Sequence, residues 1–454
     1  MNENLNGPCD LAIRGNLALP DLEIPFSGWL GITDGTITAI SAEAIEARQV
    51  IDTGDKLILP GFVDAHVHCR SCVDEGITAT TTAAAAGGTT TLIDMPFDKP
   101  DRPVNTAERL RTKIDDISKE AIIDVGLYVT FPPTGPLDEI AAMASEGAAG
   151  YKVSTIEVDP VRFPCIPDGR FVEAFREIAL TGRPAAAHQE NQEIIFSEAD
   201  RFIAAGQTKP LDHALSRPAV AEAEAAGRLL EFAYWTGAHL HMVHGTIPRT
   251  FDLINWNREQ GVTATGETCL QYLLLNQDAL TRMGGLAKCN PPLRTQEDVD
   301  GLWERLSDGR IDIVTSDHSP YPLFRKETDN IFDAFAGIPG AETLGTLLYS
   351  AGVASNRISL HRFLQLVCSG PADVFGFSSK GRLAVGKDAD FVVFDTEAEW
   401  QVNDANLHYK VGSSPYHGMN IRGRVESTWL RGTSVFENEA VTGRVGGGNF
   451  VRPA

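Results

Sequence analysis

The chain has 454 residues, 43% of them hydrophobic, and a formal net charge of −22 at pH 7. Because a single core stops growing near roughly 250 to 300 residues, we expect one large domain and one smaller domain. The negative charge would repel nucleic-acid backbones and anionic lipid surfaces, so it argues against nucleic-acid or membrane partners and favours a small-molecule partner.

The N-terminal residues MNENLNGPCD lack the basic and apolar regions of a signal peptide. No apolar run reaches the roughly 18 residues that a membrane span needs. The seven cysteines are scattered and odd in number, which does not suit a disulfide framework. We therefore expect a soluble, cytoplasmic protein with reduced thiols.

Short strand-like runs occupy the N-terminal segment. In WLGITDGTITAI, Asp34 and Gly35 separate two alternating apolar runs, which is typical of a β-hairpin. Similar runs return near the other end, for example in GRLAVGKDADFVVFD. Neither end has enough strands to close a core alone. We therefore predict a small β-sandwich built from both termini, 1–59 and 381–454.

Between these ends, strand-like apolar runs alternate with helical stretches, as in TTTLIDMP, IIDVGLYVTFP, GAAGYKVST and IDIVTSDHSP. Roughly seven or eight such units over about 320 residues fit a barrel of parallel βα units better than an open sheet. The segment from Ser216 to Gly237 carries helix start and stop signals in the expected order. We predict an α/β fold with a TIM-like (β/α)8 barrel over 60–380.

Two histidines follow the first strand-like run of the predicted barrel, in the sequence DAHVH. Side chains two positions apart on a strand point the same way. His66 and His68 could therefore bind one divalent ion at the C-terminal end of the strand, where the active sites of this fold lie. A pair of ordinary histidines at a strand end is the alternative interpretation.

Further candidate ligands each end a strand-like run; they are Lys152, His188, His244 and Asp317. Taken singly, each has a simpler explanation as a core histidine, a surface lysine or a helix cap. Their common position at the ends of successive strands favours a single site, because those ends meet at one rim of a barrel.

The sequence resembles the cyclic amidohydrolase branch of the amidohydrolase superfamily, which contains allantoinases, hydantoinases, dihydropyrimidinases and dihydroorotases. The likeness spans nearly the whole chain and rests on VDAHVH, AAAAGGTTTLIDMP, GYKVS, AAHQEN, LHMVH, GETCLQYL, AKCNPPLR, TSDHSPYP and GRLAVGKDADFVVFD. AKCNPPLR and SDHSPYP are most similar to allantoinase. GETCLQYL and the ending GRVGGGNFVRP are equally similar to hydantoinase.

This resemblance implies a centre of two divalent metal ions bridged by a lysine carboxylated on its amine, Lys152. One ion would be held by His66, His68, Lys152 and Asp317, and the other by Lys152, His188 and His244. Zinc suits these donors, as do iron, cobalt and manganese. Water acidified by the ions would attack the ring carbonyl, and Asp317 would carry the proton to the leaving nitrogen.

The resemblance also implies substrate contacts and a homo-oligomer, tetramer or dimer. The segments around Asn290 and Gly337 would meet the amide edge of the substrate through backbone groups. Arg70 stands where some relatives place an arginine suited to a carboxylate, with a surface salt bridge as the alternative. The tyrosine that hydantoinases usually place shortly after the lysine is missing, so a hydroxyl of Ser154 or Thr155 could replace it.

We expect hydrolysis of a ring amide, with allantoin, giving allantoate, as the leading substrate. A hydantoinase or dihydropyrimidinase acting on another five- or six-membered ring is the nearest alternative. A non-catalytic dihydropyrimidinase-like scaffold is a remote one, because every expected ligand is present. The segment CRSCVDEGIT after His68 is shorter than in many relatives, so we expect a different pocket wall there.

Overall fold

The computed structural model describes residues 7–70, 75–98 and 102–454. Its strands are β1 (Cys9–Leu17), β2 (Phe26–Thr33), β3 (Thr36–Ser41), β4 (Ala47–Pro60), β5 (Phe62–Val67), β6 (Thr89–Asp94), β7 (Asp124–Val129), β8 (Gly150–Ser154), β9 (Ala185–His188), β10 (Leu240–Met242), β11 (Ala264–Cys269), β12 (Ile313–Thr315), β13 (Phe391–Gln401), β14 (Asn420–Leu430), β15 (Thr433–Glu437) and β16 (Ala440–Val441).

Strands from both ends of the chain form one eight-stranded sheet, in the order β16-β15-β14-β13-β4-β1-β2-β3. Neighbours in this sheet run antiparallel, except that β1 and β4 run parallel. The predicted hairpin is confirmed. Asp34 and Gly35 join β2 to β3 with φ of 49° and 73°, the left-handed region that two-residue hairpin turns require.

The central strands form a parallel barrel in the order β12-β11-β10-β9-β8-β7-β6-β5. A bridge between Val67 and His318 brings the end of the barrel back beside its first strand. The predicted barrel, with a small β-domain built from both termini, is therefore confirmed. The domain limits stay a prediction; β4 ends at Pro60 and β13 begins at Phe391.

Helices cover the outside of the barrel and fill its connections. They are α1 (Gly76–Ala86), α2 (Ala107–Glu120), α3 (Glu139–Ser145), α4 (Asp168–Ala179), α5 (Gln192–Ala204), α6 (Pro210–Leu215), α7 (Ala219–Thr236), α8 (Pro248–Glu259), α9 (Leu270–Leu274), α10 (Asp278–Met283), α11 (Gln296–Ser307), α12 (Leu323–Lys326), α13 (Leu344–Leu348), α14 (Leu360–Leu364) and α15 (Gly370–Val374). Short 3-10 turns lie at Gly284–Ala287, Ile331–Asp333 and Asp404–Asn406, and π-helical turns at Tyr349–Val353 and Gln365–Ser369.

The helix predicted between Ser216 and Gly237 is α7. It follows Pro218 and ends at Gly237, whose φ of 73° is the left-handed conformation common just after a helix. Within the described ranges, no helix is both long enough and apolar enough to cross a membrane. The cysteines among these residues are all unpaired; Cys72 lies outside them.

A largely buried charged group joins the N-terminal end of the barrel to the sheet of the two termini. We call it the base cluster: Asp124, Lys380, Asp388, Asp390 and Arg431. The Lys380 Nζ lies 2.6 Å from Asp124, 2.8 Å from Asp388 and 2.7 Å from Asp390. Arg431 pairs with Asp124 as well. Because Asp124 begins β7 and Asp390 precedes β13, these ion pairs tie the two domains together.

Candidate active site

The predicted metal ligands lie together at the C-terminal ends of the barrel strands. They line one cavity of about 390 Å³. His66 lies in β5, Lys152 in β8 and His188 at the end of β9. His68 directly follows β5, and His244 and Asp317 lie two residues after the ends of β10 and β12. The barrel therefore collects at one rim the residues that the sequence spreads over some 250 positions.

The side-chain atoms of His66, His68 and Asp317 are close enough to hold one cation. Asp317 Oδ1 lies 3.2 Å from His66 Nε2 and 3.3 Å from His68 Nε2. The rings of His188 and His244 lie beside this group, with centroids 4.5 Å apart, and the His244 ring is 5.5 Å from that of His66. The imidazoles thus form two adjacent groups with His66 and His244 at their boundary.

Two of these side chains stand on unusual backbone. His244 and Asp317 have φ of 39° and 45°, in the left-handed region that residues other than glycine rarely adopt. Such conformations persist only where the surrounding structure enforces them, and they cluster at functional sites. Both residues occur where the chain leaves a short strand and turns at the rim.

Glu267 on β11 orients two of the histidines. One of its carboxylate oxygens hydrogen-bonds His66 Nδ1 and accepts from the backbone N–H of His244 at 3.1 Å. The other lies 3.3 Å from His241 Nε2. Burial raises the pKa of Glu267, an effect that the nearby Lys152 opposes. In its ionised form Glu267 can only accept, and that form holds the proton of His66 on Nδ1 and leaves Nε2 as a lone-pair donor beside Asp317.

Glu190 has the same role for His188. The Glu190 Oε2 accepts from His188 Nε2 at 2.8 Å, and Arg217 donates to both carboxylate oxygens. Burial alone would raise the pKa of Glu190, but the Arg217 guanidinium outweighs burial and the pKa falls below its usual value. The anionic Glu190 therefore keeps the proton of His188 on Nε2 and leaves Nδ1 as the lone-pair donor.

Burial shifts the pKa of several side chains at the rim. It lowers the pKa of His66, His188 and His244, and Lys152 adds to this effect at each of them. Burial also lowers the pKa of Lys152 to about 8, although Asp317 and Glu267 oppose the change. These three imidazoles are consequently neutral at pH 7, the form in which histidine binds metal.

The donor set fits divalent metal. The buried His66 Nε2 and His244 Nδ1 have no hydrogen-bond partner among the described residues, and burying an unsatisfied polar atom is costly unless a ligand takes it up. Neutral imidazole with carboxylate suits zinc and its neighbours. The three aspartates of the base cluster also lie close together, but Lys380 occupies the space between them, so that group does not fit a metal.

Two predicted substrate residues, Asn290 and Gly337, line the cavity. The Asn290 Oδ1 is buried and has no partner among the described residues. The backbone of Gly337 is already engaged, because its N–H donates to the Lys288 carbonyl at 2.9 Å and its carbonyl accepts from Lys326. The predicted backbone contact between Gly337 and a substrate stays a prediction.

The structure places Arg70 and Ser154 outside the cavity lining. The Arg70 guanidinium is held by Asp98 at 3.1 Å, Asp116 at 2.7 Å and Glu120 at 2.7 Å. Since three carboxylates already use its donors, the structure gives no support to its predicted role, which stays a prediction. The Ser154 hydroxyl donates to the Ile156 carbonyl at 2.6 Å, so its proton is likewise already used in a hydrogen bond.

Thr155, the other hydroxyl candidate, is also hydrogen-bonded within the protein. Thr155 donates to the carbonyls of His188 and Glu190, at 3.0 and 2.8 Å. It supports the rim and does not line the cavity. Residues 71–74 of the segment that follows His68 lie outside the described residues, so its predicted effect on the pocket wall stays a prediction.

The sequence interpretation missed most of the outer wall of the cavity. Aromatic side chains form much of it: Phe97, Phe163, Tyr321 and Phe335. The Phe97 ring stacks on that of His68 with centroids 5.5 Å apart, and Phe163 lies 5.5 Å from Lys152 Nζ. Phe163 thus closes the site near the carboxylation candidate.

A barrel with imidazoles at its rim is typical of barrel hydrolases, and comparison with known proteins makes the assignment specific. The model of the amidohydrolase family matches residues 57–435. The allantoinase of Rubrobacter xylanophilus is 37% identical over 445 residues, which cover 97% of this chain and 96% of that protein. The allantoinase of Deinococcus radiodurans is 34% identical, covering 98% and 99%.

A solved structure has the same fold over nearly the whole chain. L-Hydantoinase (dihydropyrimidinase) from Arthrobacter aurescens matches with a TM-score of 0.94 and 32% identity, covering 98% of this chain and 100% of that chain. The chain belongs to the amidohydrolase family. The prediction of a cyclic amide hydrolase is confirmed.

Proposed function

We propose that the protein hydrolyses the ring amide of allantoin and releases allantoate. The observation that carries this proposal is the cavity in which six potential ligands converge, in a chain whose relatives over nearly its full length are named allantoinase. The cavity, at about 390 Å³, is of a size that suits a small-molecule ligand. Such a reaction would belong to purine catabolism in the cytoplasm.

Two divalent ions, which we propose to be zinc, would be held by the rim; iron, cobalt or manganese would suit the same donors. One site comprises His66, His68, Lys152 and Asp317, and the other Lys152, His188 and His244. When bound, the ions polarise the carbonyl and acidify water. Lys152 first has to become an anion: its neutral amine attacks carbon dioxide, a C–N bond forms, and one proton is released.

The side chains then have separate tasks in the reaction. Asp317 faces the cavity, so it can accept a proton from the attacking water and return it to the ring nitrogen as the carbonyl C–N bond breaks. Glu267 and Glu190 hold the histidine tautomers. The aromatic wall excludes water from the substrate, which strengthens the electrostatic interactions inside the cavity.

Hydantoinase or dihydropyrimidinase activity is the second candidate, favoured by the name of the Arthrobacter aurescens structure. A non-catalytic scaffold is disfavoured because a scaffold does not need matched orienting carboxylates behind two of its histidines. Assembly as a tetramer or dimer belongs to the same proposal. Exposed aromatic side chains on neighbouring helices, Trp235 on α7 and Trp256 on α8, would gain from burial in an interface.

The test measures turnover and metal on one sample. Protein produced with added divalent metal and bicarbonate is assayed on allantoin, hydantoin, dihydrouracil and dihydroorotate, and its metal content is quantified. Allantoin turnover above the other rates, with close to two metals per chain, supports the proposal. Hydrolysis of dihydrouracil without allantoin would replace it by the second candidate. A fully loaded protein inert on every ring would revive the scaffold.

A further inference from the structure

A charged pair lies in the outer wall of the cavity, on the segment between β8 and α4. Asp159 Oδ1 accepts from the backbone N–H groups of Val161 at 2.9 Å and Arg162 at 2.8 Å. Asp159 Oδ2 accepts from Arg162 Nε at 3.2 Å. The carboxylate therefore fixes both the turn and the guanidinium, and both side chains line the cavity.

The guanidinium of Arg162 keeps donors that no protein group uses. Within the described part of the chain, only its Nε makes a hydrogen bond, so the two terminal nitrogens are unspent. Lys288, also in the lining, differs in this respect. Its ammonium donates to the carbonyls of Ile331, Phe332 and Ala334, at 2.7, 3.3 and 2.6 Å. With the rim side chains assigned to metal, Arg162 is, among the described lining residues, the remaining charged donor that a substrate can meet.

The surroundings make this donor selective. Val158, Phe97, Phe163 and Phe335 line the same wall and offer no competing hydrogen bonds. A hydrogen bond is electrostatically stronger in such surroundings than in water. Because Asp159 already balances the charge of Arg162, the pair is neutral overall. It therefore suits a neutral carbonyl oxygen better than a carboxylate, which Asp159 would repel.

We propose that Arg162 is a specificity-determining residue that donates to the carbonyl oxygen of the ureido group carried outside the ring, while Asp159 positions the guanidinium. This inference rests on the proposed function, since allantoin is a hydantoin ring bearing a ureido group. The unsubstituted hydantoin ring has the same scissile amide and lacks that group. The two substrates therefore separate recognition of the substituent from ring opening.

The experiment compares kcat/KM for allantoin, hydantoin and hydantoin-5-acetic acid in the metal-loaded enzyme. For Arg162→Leu we expect a roughly 10- to 100-fold loss on allantoin, the range for hydrogen bonds to a charged group, and a far smaller loss on hydantoin. Arg162→Lys, which keeps one charged donor, should recover part of the allantoin rate. Arg176→Leu, an exposed arginine on α4 outside the cavity lining, is the matched control.

The outcomes separate the two claims. Equal losses on allantoin and hydantoin in Arg162→Leu would overturn the role of Arg162 and leave the proposed function intact. A larger loss on hydantoin-5-acetic acid than on allantoin would overturn the ureido assignment in favour of a carboxylate. A wild-type enzyme that opens hydantoin and not allantoin would refute the proposed function, and the ureido assignment with it, before any variant is compared.

Discussion

The two ends of the barrel each bury a lysine, and the two lysines are in opposite electrostatic situations. Lys152 at the C-terminal rim and Lys380 at the base are 1% and 3% exposed. Lys380 touches three aspartates; burial alone would lower its pKa, but Asp390 and Asp124 outweigh burial and raise the pKa above its ordinary value. Lys152 forms no ion pair with any described residue, and burial lowers its pKa to about 8.

Equal burial therefore gives different chemistry because the number of nearby anions differs. At the base the Lys380 ammonium is shared among three aspartates that lie in or beside strands of the two domains, so the cluster can stabilise the fold and its cation is already neutralised. At the rim, the lone pairs of His66 Nε2 and His244 Nδ1 and the amine of Lys152, which loses its proton easily, are available to a ligand. A surplus of donors in a buried place is the mark of a functional site.

Replacing Lys152 with alanine tests this contrast most severely. The variant cannot carry the carboxylate that we propose on Lys152, so we expect kcat to fall by roughly a thousandfold or more, about 4 kcal/mol of activation free energy. Metal content should fall below two per chain. Activity assays and metal analysis on the same sample decide the result, and a variant that kept near-normal turnover would contradict the bridging role.

Replacing Lys380 with methionine should produce the converse effect. The variant leaves the buried Asp124 and Asp390 and the half-buried Asp388 close together with Arg431 as the remaining cation, and breaking a buried pair in this way costs about 3–5 kcal/mol. We expect a lower midpoint of thermal unfolding with turnover per metal-loaded chain close to that of the wild type.

The control for that variant is Lys119→Met, an exposed lysine near the end of α2. It should leave the unfolding midpoint in place. If Lys380→Met abolished turnover in folded, metal-loaded protein, the base cluster would have a catalytic role and the contrast between the two ends would fail.

Replacing Glu267 with glutamine should weaken metal binding at the rim without removing a ligand. The amide can donate where the carboxylate only accepted, so the proton of His66 is no longer held on Nδ1. We expect metal affinity to fall by roughly 10- to 100-fold, the usual effect of losing an orienting partner. Competition with a chelator measures it. Glu231→Gln, exposed on α7, should bind metal like the wild type.

The candidate ligands at the rim could be predicted from the sequence because each of them is marked by the residues next to it in the chain. Each ligand ends an apolar run, and parallel strands bring those ends together. The hairpin at Asp34 and Gly35 and the helix α7 were equally readable from turn and cap residues. Allantoin as the substrate and the bound metals were predicted from resemblance, and both stay proposals.

The partners of these residues could not be predicted, because they come from elsewhere in the chain. Arg70 was assigned to substrate from its place after His68, but its carboxylate partners lie 28, 46 and 50 positions further on. Glu267 reaches His66 across 201 positions. Arg162 stands in a loop without periodicity, and only the folded cavity shows which of its donors are free.

The smallest expected effect concerns the protonation of Lys152 itself. Carbon dioxide reacts with the neutral amine, so recovery of activity by metal-free enzyme should follow the neutral fraction of Lys152 at fixed dissolved carbon dioxide. With the pKa lowered to about 8, that fraction rises about fivefold from pH 7 to pH 8 and less than twofold from pH 8 to pH 9, whereas an ordinary lysine near 10.4 would still gain about tenfold per unit throughout. The measurement is the initial rate of recovery after metal and carbon dioxide are added together, with the Lys152→Ala variant as the blank. A rate that keeps rising tenfold per pH unit to pH 9 would mean that Lys152 titrates like an exposed lysine, and the difference between the two ends of the barrel would then lie in geometry alone.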